Sequence, residues 1–187
     1  MQTNIGLFLA KRARMNADKP GLVFEAREIS YRELNARANR AANAFVGLGV
    51  EPGDRVGLLM GNTPEFLECF FGLAKIGAIV VPLNWRLTAV ELAYIANNAG
   101  IGALVYGANH AQTVAAMRDG IPAKAYVAVG DASAADPVYA ALTAVASDAE
   151  PRAAGAGDDP LVIMFTSGTT GAPKGAVLTH DNLFYDS

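Results

Sequence analysis

The sequence predicts an α/β protein in which helices flank a mostly parallel β-sheet. Short apolar segments with strand character alternate with longer segments of helical periodicity along most of the 187 residues. Hydrophobic residues make up 52% of the chain, which is enough to build a core and too much for a disordered protein. Turn residues separate the segments at the spacing of βαβ units, so the strands are expected to pair in parallel.

The N-terminal elements are a hairpin, a long helix and a strand. Leu22–Glu25 and Glu28–Tyr31 alternate around a polar turn, a pattern that predicts two hairpin strands. From Tyr31 the period becomes helical until Gly49, with apolar residues on one face at Leu34, Ala38, Ala41, Phe45 and Leu48. After a Pro-Gly-Asp turn, Arg55–Met60 is predicted to be a buried strand.

The next unit is a capped helix followed by an apolar strand. Asn62 or Thr63 is expected to cap the helix, and Pro64 is tolerated in its first turn because that position needs no N–H donor. The helical pattern runs to Gly77. Ala78–Val81 then reads as a fully apolar strand of a parallel sheet.

The same alternation continues toward the C-terminus. The predicted elements are, in order, a helix capped by Thr88, a strand at Ala103–Tyr106, a helix at Gln112–Arg118 and a strand at Ala125–Val129. From Asp131 to Asp159 the composition shifts to Ala, Asp, Pro and Gly, which predicts a surface connection with a short helix at Pro137–Ala146. Two strands follow, at Leu161–Phe165 and Ala176–Thr179.

Charge and cysteine content exclude several classes of protein. The net charge is −3 and no basic cluster is present, which argues against a nucleic-acid-binding module. A single cysteine, Cys69, excludes a disulfide framework within the chain and favours a reducing compartment. The apolar patch Ile5–Ala10 precedes the basic residues instead of following them, so it is not a signal peptide. The longest apolar region, Cys69–Leu83, is too short and interrupted to span a membrane, and a cytoplasmic location is expected.

The segment Thr166–Gly175 carries the strongest chemical signal, because four hydroxyls, three glycines and one lysine occupy its ten positions. Glycines let backbone N–H groups converge, hydroxyls add donors and lysine adds a compact positive charge, a combination that suits polyphosphate. The alternative is an ordinary polar hairpin turn. A Walker loop is excluded, since Pro173 precedes Lys174 and Gly175 follows it. The candidate phosphate-binding residues are Thr166, Ser167, Gly168, Thr169, Thr170, Gly171, Pro173, Lys174 and Gly175.

Three motifs resemble those of one enzyme superfamily. Ile163–Lys174 closely resembles the phosphate loop of AMP-forming adenylating enzymes, which include acyl-CoA synthetases, luciferases and peptide-synthetase adenylation domains. Ile29–Leu34 and Leu73–Asn84 resemble two earlier motifs of that superfamily, in the same order. Val81–Thr88 is similar to bacterial fatty-acyl-CoA synthetases. The resemblance therefore implies that residues 1–187 are an incomplete N-terminal portion of an AMP-binding domain, with 131–159 as a surface connection inside it.

The resemblance also implies a reaction. A carboxylic acid, fatty or aryl, would react with Mg²⁺-bound ATP to give an acyl-adenylate, and coenzyme A would then displace AMP. Lys174 would act as the catalytic cation on the β- and γ-phosphates, while no residue of this chain is expected to bind metal. The family's adenine, ribose and mobile-lysine motifs have no match in the sequence, so the chain alone is expected to be inactive.

Two other readings remain open. The chain could be a non-catalytic paralogue that binds a nucleotide or a partner, or it could belong to another adenylating enzyme of the peptide-synthetase or aryl-acid type. A homodimer is also left open.

Several single residues carry expectations of their own. His180 is expected at an exposed helix start, in preference to a contact with phosphate. Cys69 is expected to be a buried, inert thiol, and Glu65 and Glu68 to form a solvated helix face. Trp85 fits either a subunit contact or a surface anchor.

Overall fold

The computed structural model describes residues 3–130, 136–166 and 173–185. It confirms the predicted α/β class, with a six-stranded sheet and a separate two-stranded hairpin. The strands are β1 Pro20–Phe24, β2 Arg27–Ser30, β3 Arg55–Leu59, β4 Ile79–Pro82, β5 Ala103–Gly107, β6 Ala125–Val129, β7 Pro160–Thr166 and β8 Lys174–Thr179. The α-helices are α1 Ile5–Met15, α2 Tyr31–Gly47, α3 Pro64–Lys75, α4 Ala89–Ala99, α5 Ala111–Met117, α6 Tyr139–Val145 and α7 His180–Tyr185.

The large sheet has the strand order β6-β5-β3-β4-β7-β8. The first five strands in this order pair in parallel, and β8 pairs with β7 in the antiparallel direction. The central strand β3 is buried from Val56 onward, as expected of a strand covered on both faces. The sheet therefore has one antiparallel edge strand, and that strand follows the predicted phosphate loop.

Helices cover the sheet on both faces, so the core has two layers. On one face Phe45 of α2 and Leu73 of α3 pack against the sheet with Val56 and Leu58. On the other face lie the buried apolar residues of α4 and α5, which are Leu92, Ile95, Ala96, Ala99, Val114 and Met117. Successive β3 residues Leu58 and Leu59 belong to different layers because strand side chains alternate.

The hairpin β1–β2 leads directly into α2. Its two turn residues, Glu25 and Ala26, have positive φ angles of 46° and 62°, the backbone that a tight two-residue turn requires. The predicted hairpin is confirmed, although Tyr31 belongs to α2 because the Ser30 side chain accepts the Glu33 N–H and caps the helix.

Two threonines occupy N-cap positions but behave differently. Thr88 forms a full capping box, since its Oγ1 accepts the Glu91 N–H at 3.3 Å and the Glu91 carboxylate accepts the Thr88 N–H at 2.8 Å. Thr63 precedes Pro64 at the start of α3, but its side chain makes no capping hydrogen bond, and its buried hydroxyl has no partner among the described residues. The prediction that Thr63 occupies the N-cap position is thus confirmed, but the expected side-chain hydrogen bond is not formed.

The sequence pattern did not predict α1, which begins after Asn4 and packs against α2 and α3. Its only glycine, Gly6, lies so close to α3 that an added Cβ would be 2.5 Å from the Lys75 backbone nitrogen. The apolar patch at the N-terminus is therefore a helix face docked on the core. No helix in the described ranges has the length and apolar content needed to cross a membrane.

Candidate active site

The candidate site lies where β7 ends, at the carboxyl edge of the parallel strands. In open α/β sheets this edge is where ligands bind, because the loops after the strands converge there. β7 ends at Thr166, and β8 starts at Lys174 and runs back along it. Thr166, the last residue of β7, therefore lies at the carboxyl edge, next to the loop that follows β4.

The structure describes four of the nine predicted phosphate-loop residues, Thr166, Pro173, Lys174 and Gly175. The other five, Ser167, Gly168, Thr169, Thr170 and Gly171, lie outside the described residues. Thr166 and Lys174 face each other in register across the two strands, and both are exposed. The base of the loop thus places a hydroxyl and an ammonium on opposite strands at one end of the hairpin.

The second strand of the hairpin begins at Lys174, two positions before the predicted start at Ala176. Backbone pairing with Phe165 and Thr166 extends the ladder into the glycine-containing segment. An added Cβ at Gly175 would lie 3.0 Å from the side chains of both Ile163 and Phe165. Since this spacing is tighter than an ordinary carbon contact, Gly175 lets the hairpin close directly behind Lys174.

The charge at this hairpin is available to an anion. Within the described ranges, Lys174 forms no ion pair, so no carboxylate there neutralises it. No group of three or more His, Cys, Asp or Glu side chains in those ranges could hold a metal ion. The exposed ammonium of Lys174 suits an anionic ligand such as polyphosphate.

An exposed aromatic residue follows β4 at the same edge. Trp85 is 49% exposed, the Arg86 guanidinium lies 5.0 Å from its ring centroid, and the His110 ring lies 6.4 Å away. Burial lowers the pKa of His110. Whether Trp85 forms a subunit contact stays a prediction.

The expectation that His180 is exposed was wrong, because only 1% of its surface is accessible. Its Nδ1 accepts the Ile5 backbone N–H at 3.1 Å, so the first turn of α1 covers the imidazole. Burial lowers the pKa of His180, against the opposing effect of Asp159 and Asp181. A prediction made without α1 could not include this cover.

The expectation of a solvated face at Glu68 was also wrong. Glu68 is 5% exposed, and its carboxylate accepts hydrogen bonds from the Tyr139 hydroxyl at 2.9 Å and from Arg37 at 3.4 Å. Burial raises the pKa of Glu68. The neighbouring Cys69 is fully buried, which confirms its predicted burial, and burial raises the pKa of its thiol.

Sequence reasoning missed a buried charge at the end of α3, just before β4 begins. Lys75 is completely buried, and its ammonium donates to Asn35 Oδ1, Asn39 Oδ1 and Glu150 Oε2 at 2.7, 2.6 and 2.7 Å. The available signal was the lone lysine in the apolar run before Gly77. These contacts join α2, α3 and the segment after α6, so they support the fold away from the candidate site.

Comparison with known proteins places this arrangement in a family. The model of the AMP-binding enzyme family matches residues 9–187. The chain is 41% identical over 182 residues to a Mycobacterium tuberculosis protein named long-chain-fatty-acid–CoA ligase FadD13, covering 96% of this chain and 36% of that protein. It is also 41% identical over 182 residues to crotonobetaine/carnitine–CoA ligase from Salmonella agona, covering 91% and 35%.

A solved structure has the same fold over this region. The anthranilate CoA ligase AuaEII, in complex with anthranoyl-AMP, superposes with a TM-score of 0.91 at 28% identity, covering 96% of this chain and 35% of that one. The chain thus spans about a third of the length of the relatives that it matches. With its family model matched over nearly the whole sequence, the chain belongs to the AMP-binding enzyme family.

Proposed function

We propose that this chain is the N-terminal part of an ATP-dependent acid–CoA ligase and that its β7–β8 hairpin binds the polyphosphate of ATP. The observation that carries the proposal is the position of Lys174, exposed and without a carboxylate partner in the described residues, at the carboxyl edge of a parallel sheet. The names of the relatives supply the reaction class, since each is a CoA ligase that acts on a carboxylic acid.

The chemistry of such a ligase explains why a cation is needed at this place. A carboxylate oxygen of the acid forms a bond to the α-phosphorus of ATP while the bond from that phosphorus to the pyrophosphate oxygen breaks. The coenzyme A thiol, losing its proton, then attacks the acyl carbon and releases AMP. Negative charge builds up on the departing pyrophosphate in the first step, and a preorganised ammonium stabilises it.

Within this scheme the described residues have separate tasks. Lys174 neutralises charge on the β- and γ-phosphates, and Thr166 offers a hydroxyl donor from the opposite strand. Gly175 permits the close strand packing that fixes the lysine backbone. Mg²⁺ bound to ATP would supply further charge neutralisation.

The test is the affinity for Mg-ATP of a longer enzyme that contains this chain, measured by calorimetry. Lys174→Ala is expected to weaken binding about tenfold or more, since a charge-assisted contact contributes about 1.5–3 kcal/mol. Lys124→Ala is the matched control, because Lys124 is also exposed but lies before β6, at the amino edge of the sheet. Equal ATP affinity of the Lys174→Ala and wild-type proteins would remove the hairpin from the mechanism.

We also propose that the 187 residues alone do not complete the reaction. One loop cannot orient the acid, ATP and thiol together, and loss of orientation is costly in rate. Pyrophosphate release with a panel of fatty and aryl acids is expected from the longer enzyme and not from the 187-residue chain. Acid-dependent release by the short chain would overturn this expectation, and ATP binding without release by the longer enzyme would instead indicate a non-catalytic nucleotide-binding protein.

A further inference from the structure

A histidine at the end of the phosphate hairpin is tied to the N-terminal helix. His180 is the first residue of α7 and directly follows Thr179, the last residue of β8. Its Nδ1 accepts the backbone N–H of Ile5, the first residue of α1. Because the first N–H groups of a helix have no partner inside that helix, the imidazole satisfies a donor that would otherwise be left open.

This hydrogen bond determines the protonation state of the ring. An imidazole nitrogen that accepts a hydrogen bond carries no proton, so the single proton of the neutral ring must be on Nε2. A second proton would have to bind Nδ1, where it would point at the N–H of Ile5. The structure therefore accommodates the neutral form of His180 and excludes the charged form as long as α1 stays in place.

The surroundings of the ring also disfavour the charged form. Nε2 is buried and has no hydrogen-bond partner among the described residues. An added Cβ at Gly155 would be 3.3 Å from Nε2, so backbone closes this side of the ring. The charged groups that face the ring are Asp159, in the segment before β7, and Asp181, in α7; both favour the charged form, but their effect on the pKa is smaller than that of burial. The first turn of α1 contains no acidic residue.

Other contacts at the same place are backbone or amide hydrogen bonds that do not change with pH. Asn4 Nδ2 donates to the carbonyl oxygens of Ala154 and Gly155, and the N–H of Gly157 donates to the carbonyl oxygen of Thr3. The imidazole is thus the one titratable hydrogen-bonding group in these contacts between residues 3–5 and the rest of the described chain.

We propose that His180 is a proton-sensitive latch, which holds the start of α1 while the imidazole is neutral and releases it when the imidazole is protonated. The sign follows from the burial of the ring. A depressed pKa in the folded state means that the stabilisation is complete above the ordinary histidine pKa of about 6.5 and is lost as the pH falls through the folded-state pKa. This latch is independent of the proposed ligase function.

The experiment is residue-resolved hydrogen exchange of the α1 amides in the 187-residue chain between about pH 7.5 and about pH 5.5, above the ordinary range of carboxyl titration. Results are expressed as protection factors, which remove the intrinsic pH dependence of exchange. The protection of the Ile5 amide is expected to fall by up to about tenfold for each pH unit below the ordinary histidine pKa of about 6.5, and to level off below the folded-state pKa. His180→Asn should abolish this fall, because Asn Oδ1 can accept the same N–H and does not titrate.

The second histidine provides the matched control. The chain has two histidines, and His110→Asn should retain the wild-type profile. The proposal is overturned if His180→Asn keeps the pH-dependent fall. An NMR titration of the His180 ring in the wild-type chain decides the matter without any variant that must fold: protonation of the ring with unchanged Ile5 protection would also overturn it, and coincident midpoints would support it.

Discussion

Replacement of Lys75 by methionine tests the buried charge that joins α2, α3 and the segment after α6. Lys75→Met keeps a long unbranched side chain but removes the ammonium, which is completely buried. Three acceptors then lose their donor: Asn35 Oδ1, Asn39 Oδ1 and Glu150 Oε2. We expect the free energy of unfolding to fall by about 2–3 kcal/mol.

This magnitude follows from the exposure of each acceptor. Removing one partner of a buried ion pair generally costs about 3–5 kcal/mol, because the other charge is left unpaired. Here the Glu150 side chain is 41% exposed, so water can solvate its carboxylate. The expected loss of stability is therefore smaller than about 3–5 kcal/mol. Asn39 is 2% exposed, and its orphaned Oδ1 contributes about 1–3 kcal/mol.

Urea denaturation measures the effect. With an m-value of about 2 kcal/mol/M, the midpoint should decrease by about 1–1.5 M. Lys124→Met makes the same substitution at an exposed position and should change the midpoint by less than about 0.3 M. A Lys75→Met protein as stable as the control would show that the three hydrogen bonds only balance the desolvation of the ammonium.

Two further predictions concern helix capping and the cysteine. Thr88→Ala should lower the free energy of unfolding by about 1 kcal/mol because it removes a capping-box donor and acceptor, whereas Thr63→Ala should be neutral or stabilising because the Thr63 hydroxyl is buried without a partner in the described chain. Urea denaturation of both variants compares the two effects, and equal losses of stability would contradict the assignment. Cys69 should react with a thiol reagent only as fast as the chain opens, so its labelling rate should rise with urea along the unfolding curve; rapid labelling in native buffer would contradict its burial.

Local patterns were sufficient for most elements of the sheet. The apolar runs that became β3, β4, β5, β6 and β7 were recognisable because strands covered on both faces need continuous hydrophobic sequence. The start of β8 at Lys174 was not, since nothing in the glycine-rich segment itself reveals that its backbone pairs with β7. The phosphate loop stays a prediction made from residue type, since residues 167–172 lie outside the described ranges.

The wrong expectations for His180 and Glu68 and the unpredicted burial of Lys75 share one physical cause, which is contact between residues distant in sequence. His180 is buried by Ile5, and Glu68 is buried beside Tyr139. Lys75 is paired with Glu150. In each case the local pattern favours exposure of a polar side chain, and only the tertiary partner makes its burial tolerable.

The parallel pairing of β4 with β7 has a consequence for synthesis of the chain. Val80 in β4 pairs with Val162 in β7. The edge of β4 that binds β7 therefore stays unpaired until β7, which is translated much later, has been synthesised. At about 5–20 residues per second, that delay lasts about 4–16 seconds on the ribosome. During this interval β4 presents unpaired backbone groups to other nascent chains. Slower elongation between these strands would therefore increase the yield of aggregated product without changing the stability of the finished fold.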